Sequence, residues 1–433
     1  MLSSQQRYST EKLRRKYLKK TKPFHLPKQL FVQAYKLVKA NAGTAGVDQQ
    51  SIEAFSRNAK DNLYKLWNRM SSGCYFPPPV KAVSIPKKTG GERVLGIPTV
   101  EDRIAQMVVK LILEPEIEPH FLADSYGYRP NKSALAAVGI TRKRCWQYDW
   151  VVEFDIKGLF DNISHELLMK ALYKHTKCQW VILCIKRWLT APMQLADGTI
   201  INRETGTPQG GVISPLLSNL FLHYAFDKWM QQHYPDIPWC RYADDGLLHC
   251  KTQMQARYVL DMLAERFKSC KLQLHPDKTK IVYCKDSNRG GECQSVSFDF
   301  LGFTFRPREA VNRQNKWRFT SFTPAASKAS MKAMRAKVKR CRIGRRTELE
   351  LRDIAKMCNP MLRGWINYYG TYHGSGLEAV YRHFNKTLVT WAMRKYKKLR
   401  HRKMKAIEFL GAIAKENPTL FAHWHRGRPG AFT

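Results

Sequence analysis

Two adjacent aspartates, Asp244 and Asp245, lie between two short apolar segments in residues 239–250. The apolar segments predict β-strands and Asp-Asp-Gly predicts the turn between them, so we expect a β-hairpin with two carboxylates at its tip. Adjacent carboxylates repel one another and add nothing to a core, and their simplest partner is a cation such as Mg²⁺. Taken alone, the same residues are also typical of an ordinary solvated turn.

A third carboxylate, that of Asp155, favours a metal site over a solvated turn. Asp155 ends the β-rich run Trp-Val-Val-Glu-Phe-Asp, where a charge that follows an apolar strand needs a partner. Asp155 beside Asp244 and Asp245 would give three carboxylates, enough to hold two Mg²⁺ ions together with substrate phosphates. The predicted reaction class is nucleotidyl transfer, in which a primer 3′-hydroxyl attacks and pyrophosphate leaves.

The composition indicates a globular protein with a polyanionic partner. The 433 residues, 44% of them hydrophobic, suit two or three domains. There are 74 Lys and Arg against 35 Asp and Glu, a net charge of +39, which attracts nucleic acid or an anionic membrane surface. The many aromatic residues favour nucleic acid, because bases stack on them. No apolar run is long enough to span a bilayer, which excludes an integral membrane protein.

The eleven cysteines indicate a reducing compartment. They are scattered through the chain and form no Cys-x-x-Cys pair, so they predict free core thiols and a cytoplasmic protein. The basic N-terminal residues are compatible with an organellar transit peptide, but we interpret them as an RNA-facing arm.

Three cations lie on a second predicted hairpin. Lys81, Lys87 and Arg93 are six residues apart in residues 80–97, where two alternating segments flank a Gly-Gly turn. Such a cluster would suit a triphosphate. It would also keep a sheet edge soluble, and the residues alone leave that choice open.

The composition changes near residue 321. From there onward the sequence has 25 Lys and Arg against 6 Asp and Glu, in segments that predict helices at 325–340, 348–369 and 377–400. Arg363, Trp365 and Tyr368 interleave charge with aromatic rings. This pattern is typical of a nucleic-acid-binding surface, although the same aromatic residues could simply form a core.

Nine motifs then occur in a characteristic order. They are Gly-Thr-Ala-Gly-Val-Asp at 43–48, Ile-Pro-Lys at 85–87 with Leu-Gly-Ile-Pro at 95–98, Ser-Tyr-Gly-Tyr-Arg-Pro at 125–130, Phe-Asp-Ile-Lys-Gly-Leu-Phe-Asp at 154–161, Gly-Thr-Pro-Gln-Gly-Gly-Val-Ile-Ser-Pro at 206–215, Tyr-Ala-Asp-Asp at 242–245, His-Pro-Asp-Lys-Thr-Lys at 275–280, Phe-Leu-Gly-Phe at 300–303, and Arg-Gly-Trp at 363–365 with Tyr-Tyr at 368–369. In these motifs, over nearly its whole length, the chain resembles the reverse transcriptases encoded by group II introns, which also act as maturases.

The resemblance implies roles for the acidic residues and their neighbours. Asp155, Asp244 and Asp245 correspond to the palm ligands of two Mg²⁺ ions, with Mn²⁺ as an alternative metal, and the Ile156 carbonyl corresponds to a further ligand. Lys278 is similar to the palm lysine that is proposed to act as a general acid for pyrophosphate.

It also implies residues that bind the incoming nucleotide. Phe160 resembles the aromatic residue that crowds a ribose 2′-hydroxyl and so favours dNTPs, and Gln209 matches a loop residue that contacts the nucleotide and template. Lys81, Lys87 and Arg93 fall at the spacing of the cations that clasp the triphosphate. Contacts to nucleic acid are predicted for Arg129, Tyr242, Arg363, Trp365 and Tyr368.

The implied fold is an α+β right-hand polymerase with fingers, a palm built on an antiparallel sheet, and an α-helical thumb. The expected division is a helical N-terminal extension at 1–75, fingers at 76–150, palm at 151–320, thumb or maturase domain X at 321–400, and a short basic tail at 401–433 without an endonuclease domain. The implied partners are group II intron RNA, an RNA template with a DNA primer, and dNTPs, with no membrane; a homodimer stays open.

Two other functions share much of this pattern. A splicing factor with a vestigial polymerase site would not need Asp155, Asp244, Asp245, Gln209 and Phe160 together. A domesticated relative that acts in defence or repair would keep all of them. Because many family members carry a Cys-rich nuclease module that is absent here, we expect any intron mobility to use a pre-existing primer.

Overall fold

The computed structural model describes residues 22–86, 91–291, 293–311 and 317–426. It divides into two compact units. The first contains Met1–Ser133, Phe154–Gly246 and Tyr258–Thr279, and the second contains Ala134–Glu153, Leu247–Arg257 and Lys280–Thr433. Lys87 lies outside the described residues. In the described ranges, no helix is both long and apolar enough to cross a membrane.

Helices account for more of the described residues than strands do. In order they are α1 (Lys28–Asn41), α2 (Ile52–Arg57), α3 (Ala59–Ser71), α4 (Val100–Ile117), α5 (Ala134–Gln147), α6 (Leu159–Asn162), α7 (His165–Tyr173), α8 (Gln179–Thr190), α9 (Ser214–Leu222), α10 (Lys228–His233), α11 (Gln253–Ser269), α12 (Lys328–Arg340), α13 (Leu351–Tyr369), α14 (Glu378–Lys395) and α15 (Lys403–Glu416). A π-helical segment, His223–Asp227, joins α9 to α10, and a 3₁₀ turn spans Pro276–Lys278.

Eleven strands lie in the described residues: β1 (Val80–Pro86), β2 (Glu92–Ile97), β3 (Trp150–Asp155), β4 (Met193–Gln194), β5 (Ile200–Ile201), β6 (Trp239–Tyr242), β7 (Asp245–Cys250), β8 (Lys280–Tyr283), β9 (Phe298–Phe300), β10 (Phe303–Val311) and β11 (Arg318–Ala326). They form three sheets, with the orders β2-β1-β4-β5, β6-β7-β3-β8 and β11-β10-β9. Strands β1 and β4 pair in parallel, whereas the pairs β1–β2, β3–β8, β4–β5, β9–β10 and β10–β11 are antiparallel. This mixture of helices with mainly antiparallel sheets agrees with the predicted α+β class.

The core of the first unit is aromatic near the acidic hairpin. Phe154 packs against Phe226 and Phe267 with ring centroids 5.2 and 5.9 Å apart, and Trp239 covers Phe226 at 5.1 Å. All four side chains are buried. The predicted strand before Asp155 therefore ends in a rigid, apolar support.

The second unit has a helical core that reaches further than expected. Ala406, Leu410 and Ala414 of α15 are fully buried in the same cluster as Leu362 of α13 and Leu388 of α14. Residues 401–433 were predicted as a short basic tail. Instead, Lys403–Glu416 is an amphipathic helix, because its small and apolar residues repeat at helical spacing and complete this core.

Two local segments differ from what the sequence predicts. The phenylalanine-rich residues 298–305 predict one strand with a glycine at its midpoint, but Leu301 and Gly302 have φ values of 50° and 82° and turn the chain, so that β9 pairs with β10. Ser214, which precedes Pro215, predicts a helix cap. Ser214 is the first residue of α9 instead, and its hydroxyl forms a hydrogen bond with the Thr207 hydroxyl at 2.8 Å.

Candidate active site

The acidic turn is built by the hairpin that the sequence predicts. Strand β6 ends at Tyr242 and β7 begins at Asp245, so Ala243 and Asp244 form the turn. Ala243 has a φ of 58°, which is uncommon for a residue with a side chain. Gly246 is required next to the turn, because a Cβ there would lie 2.1 Å from the Phe154 ring. The turn that carries the two aspartates therefore lies directly beside the end of β3.

A buried arginine, Arg241, stabilises this turn through hydrogen bonds. Arg241 donates to both carboxylate oxygens of Asp227 at 2.8 and 2.7 Å, to the Ser125 hydroxyl at 2.8 Å and to the Ala243 carbonyl at 3.1 Å. The last bond supports the unusual backbone of the turn. We did not single out Arg241 or Asp227 from the sequence; the available signal was an arginine inside the apolar run Trp-Cys-Arg-Tyr.

The loop at residues 125–130 supports the same turn. A Cβ on Gly127 would lie 2.4 Å from the Ala243 nitrogen, so only glycine fits there. The Asn219 side chain donates to the Gly127 carbonyl at 2.7 Å and accepts from Arg241 at 3.1 Å. The close approach of Gly127 to Ala243 explains why the loop carries a glycine between two tyrosines.

Asp155 ends β3 and is 5% exposed. Its backbone carbonyl accepts a hydrogen bond from the backbone amide of His275 at 2.8 Å, and the buried Ile156 forms an antiparallel bridge with Leu274. These backbone contacts bring the 3₁₀ turn at Pro276–Lys278 to the end of β3. The Lys278 ammonium forms an ion pair with the Asp155 carboxylate.

The three predicted carboxylates act on this one ammonium. Burial alone would lower the pKa of Lys278, but the bond to Asp155 and the charges of Asp245 and Asp244 raise it above its ordinary value. Burial raises the pKa of Asp244, and the negative charge of Asp155 raises it further, against the lowering effects of its backbone hydrogen bond, Lys278 and Arg93. Three acids from two distant parts of the chain therefore share one electrostatic environment.

The three carboxylates do not form a complete set of metal ligands in this structure. In the described ranges, no group of three or more His, Cys, Asp or Glu side chains is positioned to hold a metal ion. Asp244 is half-buried whereas Asp245 is exposed, and Asp155 is paired with Lys278. The donor set nevertheless fits Mg²⁺, because carboxylate oxygens are hard ligands and the Lys278 ammonium balances only one of the three negative charges.

The loop at residues 206–213 brings Gln209 to the second hairpin. The Gln209 side chain accepts a bond from Arg93 and donates to Asp161 at 3.3 Å, and the backbone of Gly96 donates to its carbonyl at 2.8 Å. Lys81 is exposed on β1 of the same sheet. Arg93 therefore connects the hairpin of cations to the loop, and its charge also reaches Asp244.

A buried glutamine, which we did not predict, positions this loop. Gln106 of α4 accepts from the backbone amides of Val212 and Ile213 at 2.7 and 3.3 Å and donates to Asp102 at 2.9 Å. Asp102 also accepts from Tyr75. The sequence signal was weak, since polar residues in a helix are usually exposed.

Phe160 lies on the short helix α6 and is 8% exposed. Its carbonyl accepts from Thr207 at 2.7 Å, and a Cβ on Gly206 would lie 2.5 Å from that oxygen. Gly206 has a φ of 79°. Close approach of the glycine loop therefore locks the backbone that carries this ring.

The residues predicted to bind nucleic acid occupy different environments. The Arg129 side chain is 6% exposed, pairs with Glu118 at 2.7 Å and donates to two carbonyls, which argues against a nucleic-acid contact. Trp365 packs against two buried apolar clusters of the second unit, and the Tyr368 hydroxyl donates to the Leu301 carbonyl at 2.9 Å. For these two rings the alternative interpretation as core residues fits better.

Arg363 is exposed on α13, and Tyr242 is half-buried beside Tyr128 with ring centroids 6.5 Å apart. Both keep surface that a ligand could contact, so their predicted roles stay predictions. The missed signal for Trp365 was its position on the apolar face of a helix that begins at Leu351.

Two parts of the chain match known families. Residues 85–305 match the family described as reverse transcriptase (RNA-dependent DNA polymerase), and residues 331–407 match the group II intron, maturase-specific domain. Protein YkfC of Escherichia coli is 33% identical over 289 residues, which cover 57% of this chain and 74% of that protein. The group II intron-encoded protein LtrA of Lactococcus lactis is 35% identical over 206 residues, 47% of this chain and 34% of that protein. A telomerase structure from Candida albicans aligns with a TM-score of 0.46 and 13% identity, covering 87% of this chain and 68% of that one.

The matched residues define a reverse-transcriptase-like polymerase, and the chain belongs to the reverse transcriptase family. Residues 331–407 add a match to the group II intron, maturase-specific domain. The resemblance identified from the motifs is thus confirmed. The chain spans only about a third of LtrA.

Proposed function

We propose that this chain extends a DNA primer on an RNA template with dNTPs by two-metal-ion nucleotidyl transfer, and that it binds group II intron RNA to assist splicing and retrohoming. The observation that supports the polymerase most strongly is the convergence of three acidic charges on the Lys278 ammonium. Such a concentration of carboxylates has no structural purpose at a hairpin turn, because like charges repel.

Asp155, Asp244 and Asp245, with the Ile156 carbonyl, would hold Mg²⁺, or Mn²⁺ in its place. When bound, two such ions supply Lewis-acid activation of the primer 3′-hydroxyl and neutralise the charge on the leaving pyrophosphate. The Lys278 side chain is 52% exposed, so it is free to turn toward solvent when another cation enters. This lysine is therefore a replaceable counter-ion rather than a permanent buried partner.

The remaining residues bind and orient the nucleotide. Lys81, Lys87 and Arg93 contribute positive charge for the triphosphate, and Gln209, held by Arg93, faces the same region. Phe160 excludes a ribose 2′-hydroxyl by bulk. Lys278 Nζ holds a proton that it can donate to pyrophosphate as the P–O bond breaks.

The splicing role rests on the second unit. The maturase-specific match at 331–407 covers helices with many exposed Lys and Arg side chains, which suit an RNA backbone. In this proposal the second unit binds the intron RNA and the first unit carries the polymerase site. A substitution in one unit should therefore be able to remove one activity and leave the other.

Two assays test the proposal. Purified chain should extend a DNA primer on RNA in the presence of Mg²⁺ and should stop when EDTA is added. It should also accelerate splicing of its intron RNA at low Mg²⁺ concentration. Splicing without any primer extension would favour a splicing-only maturase, whereas extension without any effect on the intron RNA would favour a domesticated polymerase.

A further inference from the structure

A cavity of about 700 Å³ lies entirely within the second unit. Strands β9 to β11 form one wall, and the first turns of α12 and α14 with the loop before α14 form the other. Its charged and polar lining includes Arg306, Arg308, Lys328, His373, Ser375 and Arg382. None of these residues belongs to the acidic site in the first unit.

The positive charge in this cavity is not balanced. Four permanent cations, Arg306, Arg308, Lys328 and Arg382, face only two carboxylates, Asp299 and Glu378. Across the described ranges, none of the four cations forms an ion pair within 4 Å. The cavity therefore has an excess of two positive charges.

Like charges are crowded together there. Burial lowers the pKa of Arg308 to about 10, and the charge of Arg306 contributes. Burial also lowers the pKa of His373, with Arg308 and Arg306 adding to the effect. Lys328 is the first residue of α12, whose first turn has no acid, so a cation lies at the positive end of a helix dipole. An anion bound in the cavity would relieve all three conflicts.

The hydrogen-bond donors suit phosphate oxygens. Arg308 uses Nε and Nη2 on the carbonyls of Thr323 and Thr304, which holds its guanidinium in one orientation. Arg306, Lys328 and Arg382 are exposed and can close on a ligand. Ser375 contributes a hydroxyl beside His373, at 3.1 Å from its Nε2. Planar arginine groups are the usual partners of phosphate in proteins.

We propose that this cavity binds a phosphomonoester, either the 5′-terminal phosphate of a nucleic-acid strand or the phosphate of a free nucleotide. A terminal phosphate carries about two negative charges near neutral pH, which matches the excess of two, whereas an internal phosphodiester carries one. The volume is within the range of ligand pockets, about 300–1,000 Å³, and is large enough for one nucleotide. The proposal is independent of the polymerase activity.

Binding of the full chain to matched ligands tests it. One arm compares a short RNA with a 5′-phosphate and the same RNA with a 5′-hydroxyl, and the other compares AMP with adenosine, in EDTA and at about 0.15 M salt to weaken non-specific contacts. The phosphate should tighten binding roughly tenfold in at least one arm, since charge-assisted bonds to several cations are lost without it. The arm that responds identifies the source of the phosphate.

Matched variants locate the effect. Arg306→Gln/Arg382→Gln removes two exposed cations from the cavity and should abolish the preference for phosphate. Lys337→Gln/Arg340→Gln removes two exposed cations from the far end of α12 and should retain it. Because all four side chains are exposed, the urea unfolding midpoints should be unchanged. Absence of a phosphate preference in both arms, or its retention in the cavity variant, would overturn the proposal.

Discussion

Arg241 and Asp227 form a fully buried ion pair, with two hydrogen bonds of 2.8 and 2.7 Å and no exposed surface on either side chain. The same guanidinium donates to the Ala243 carbonyl, one residue before Asp244. The pair therefore contributes to the stability of the first unit and also fixes the backbone conformation of the acidic turn.

Arg241→Met should reduce the free energy of unfolding by about 3–5 kcal/mol, because it leaves the Asp227 carboxylate buried without a counter-charge. Urea titration followed by circular dichroism measures this. Arg318→Met is the control, since Arg318 and Glu309 form a 3.0 Å pair that is largely exposed and should contribute little. Equal losses in the two variants would show that the buried pair has no special importance.

Gln106→Leu should impair nucleotide use more than RNA binding. The substitution leaves the amides of Val212 and Ile213 without their acceptor, so the loop that carries Gln209 loses its support. We expect kcat/KM for dNTPs to fall roughly tenfold or more, in line with a lost hydrogen bond of about 1–3 kcal/mol, while the Kd for template RNA stays within a factor of about two. The exposed Gln232→Leu is the matched control, and a parallel loss of RNA affinity would contradict a positioning role.

Asp102 should make stability depend on pH. Burial raises its pKa to about 6, against hydrogen bonds from Tyr75, Trp188 and Gln106. Between the unfolded pKa, about 3.9, and this value the folded state keeps a proton that the unfolded state releases, so stability falls as pH rises through that window. Relative to Asp102→Asn, which does not titrate, the wild-type protein should lose roughly 2 kcal/mol between pH 4 and pH 7. A constant difference between the two proteins across that range would contradict the assignment.

Phe160→Val should increase incorporation of ribonucleotides relative to deoxyribonucleotides. A smaller side chain on the same backbone leaves space for a 2′-hydroxyl, and because the ring is only 8% exposed the change should also cost roughly 1–3 kcal/mol of stability. The ratio of kcat/KM for dNTP and rNTP measures it, with the buried Phe121→Leu as a control for general effects of core substitution. An unchanged ratio would remove this residue from sugar selection.

The acidic hairpin was predictable because its signal is local. The apolar segments on both sides of Asp-Asp-Gly predict strands and a turn from twelve consecutive positions. The partnership of Arg241 with Asp227 was not predictable, since its members lie on a strand and a helix that only the tertiary fold brings together. An arginine inside an apolar strand was the one available indication.

The second unit shows where periodicity is insufficient. Aromatic residues on α13 carry the same spacing whether they face a core or a ligand, so Trp365 and Tyr368 could not be assigned before their contacts were known. The hairpin at 298–311 was missed because its turn places Leu301 at positive φ, where leucine is uncommon. A glycine within an apolar run is also compatible with a strand, so Gly302 alone did not indicate the turn.

Primer extension by Asp244→Asn tests the central claim most directly, because this change removes one of the three charges that converge on Lys278 and keeps the size of the side chain. With Mg²⁺, an RNA template and a DNA primer, we expect extension to fall by at least about a thousandfold, comparable to the loss of a catalytic electrostatic contact of roughly 4 kcal/mol, with RNA affinity and unfolding midpoint preserved. Extension at the wild-type rate by the folded variant would contradict the account.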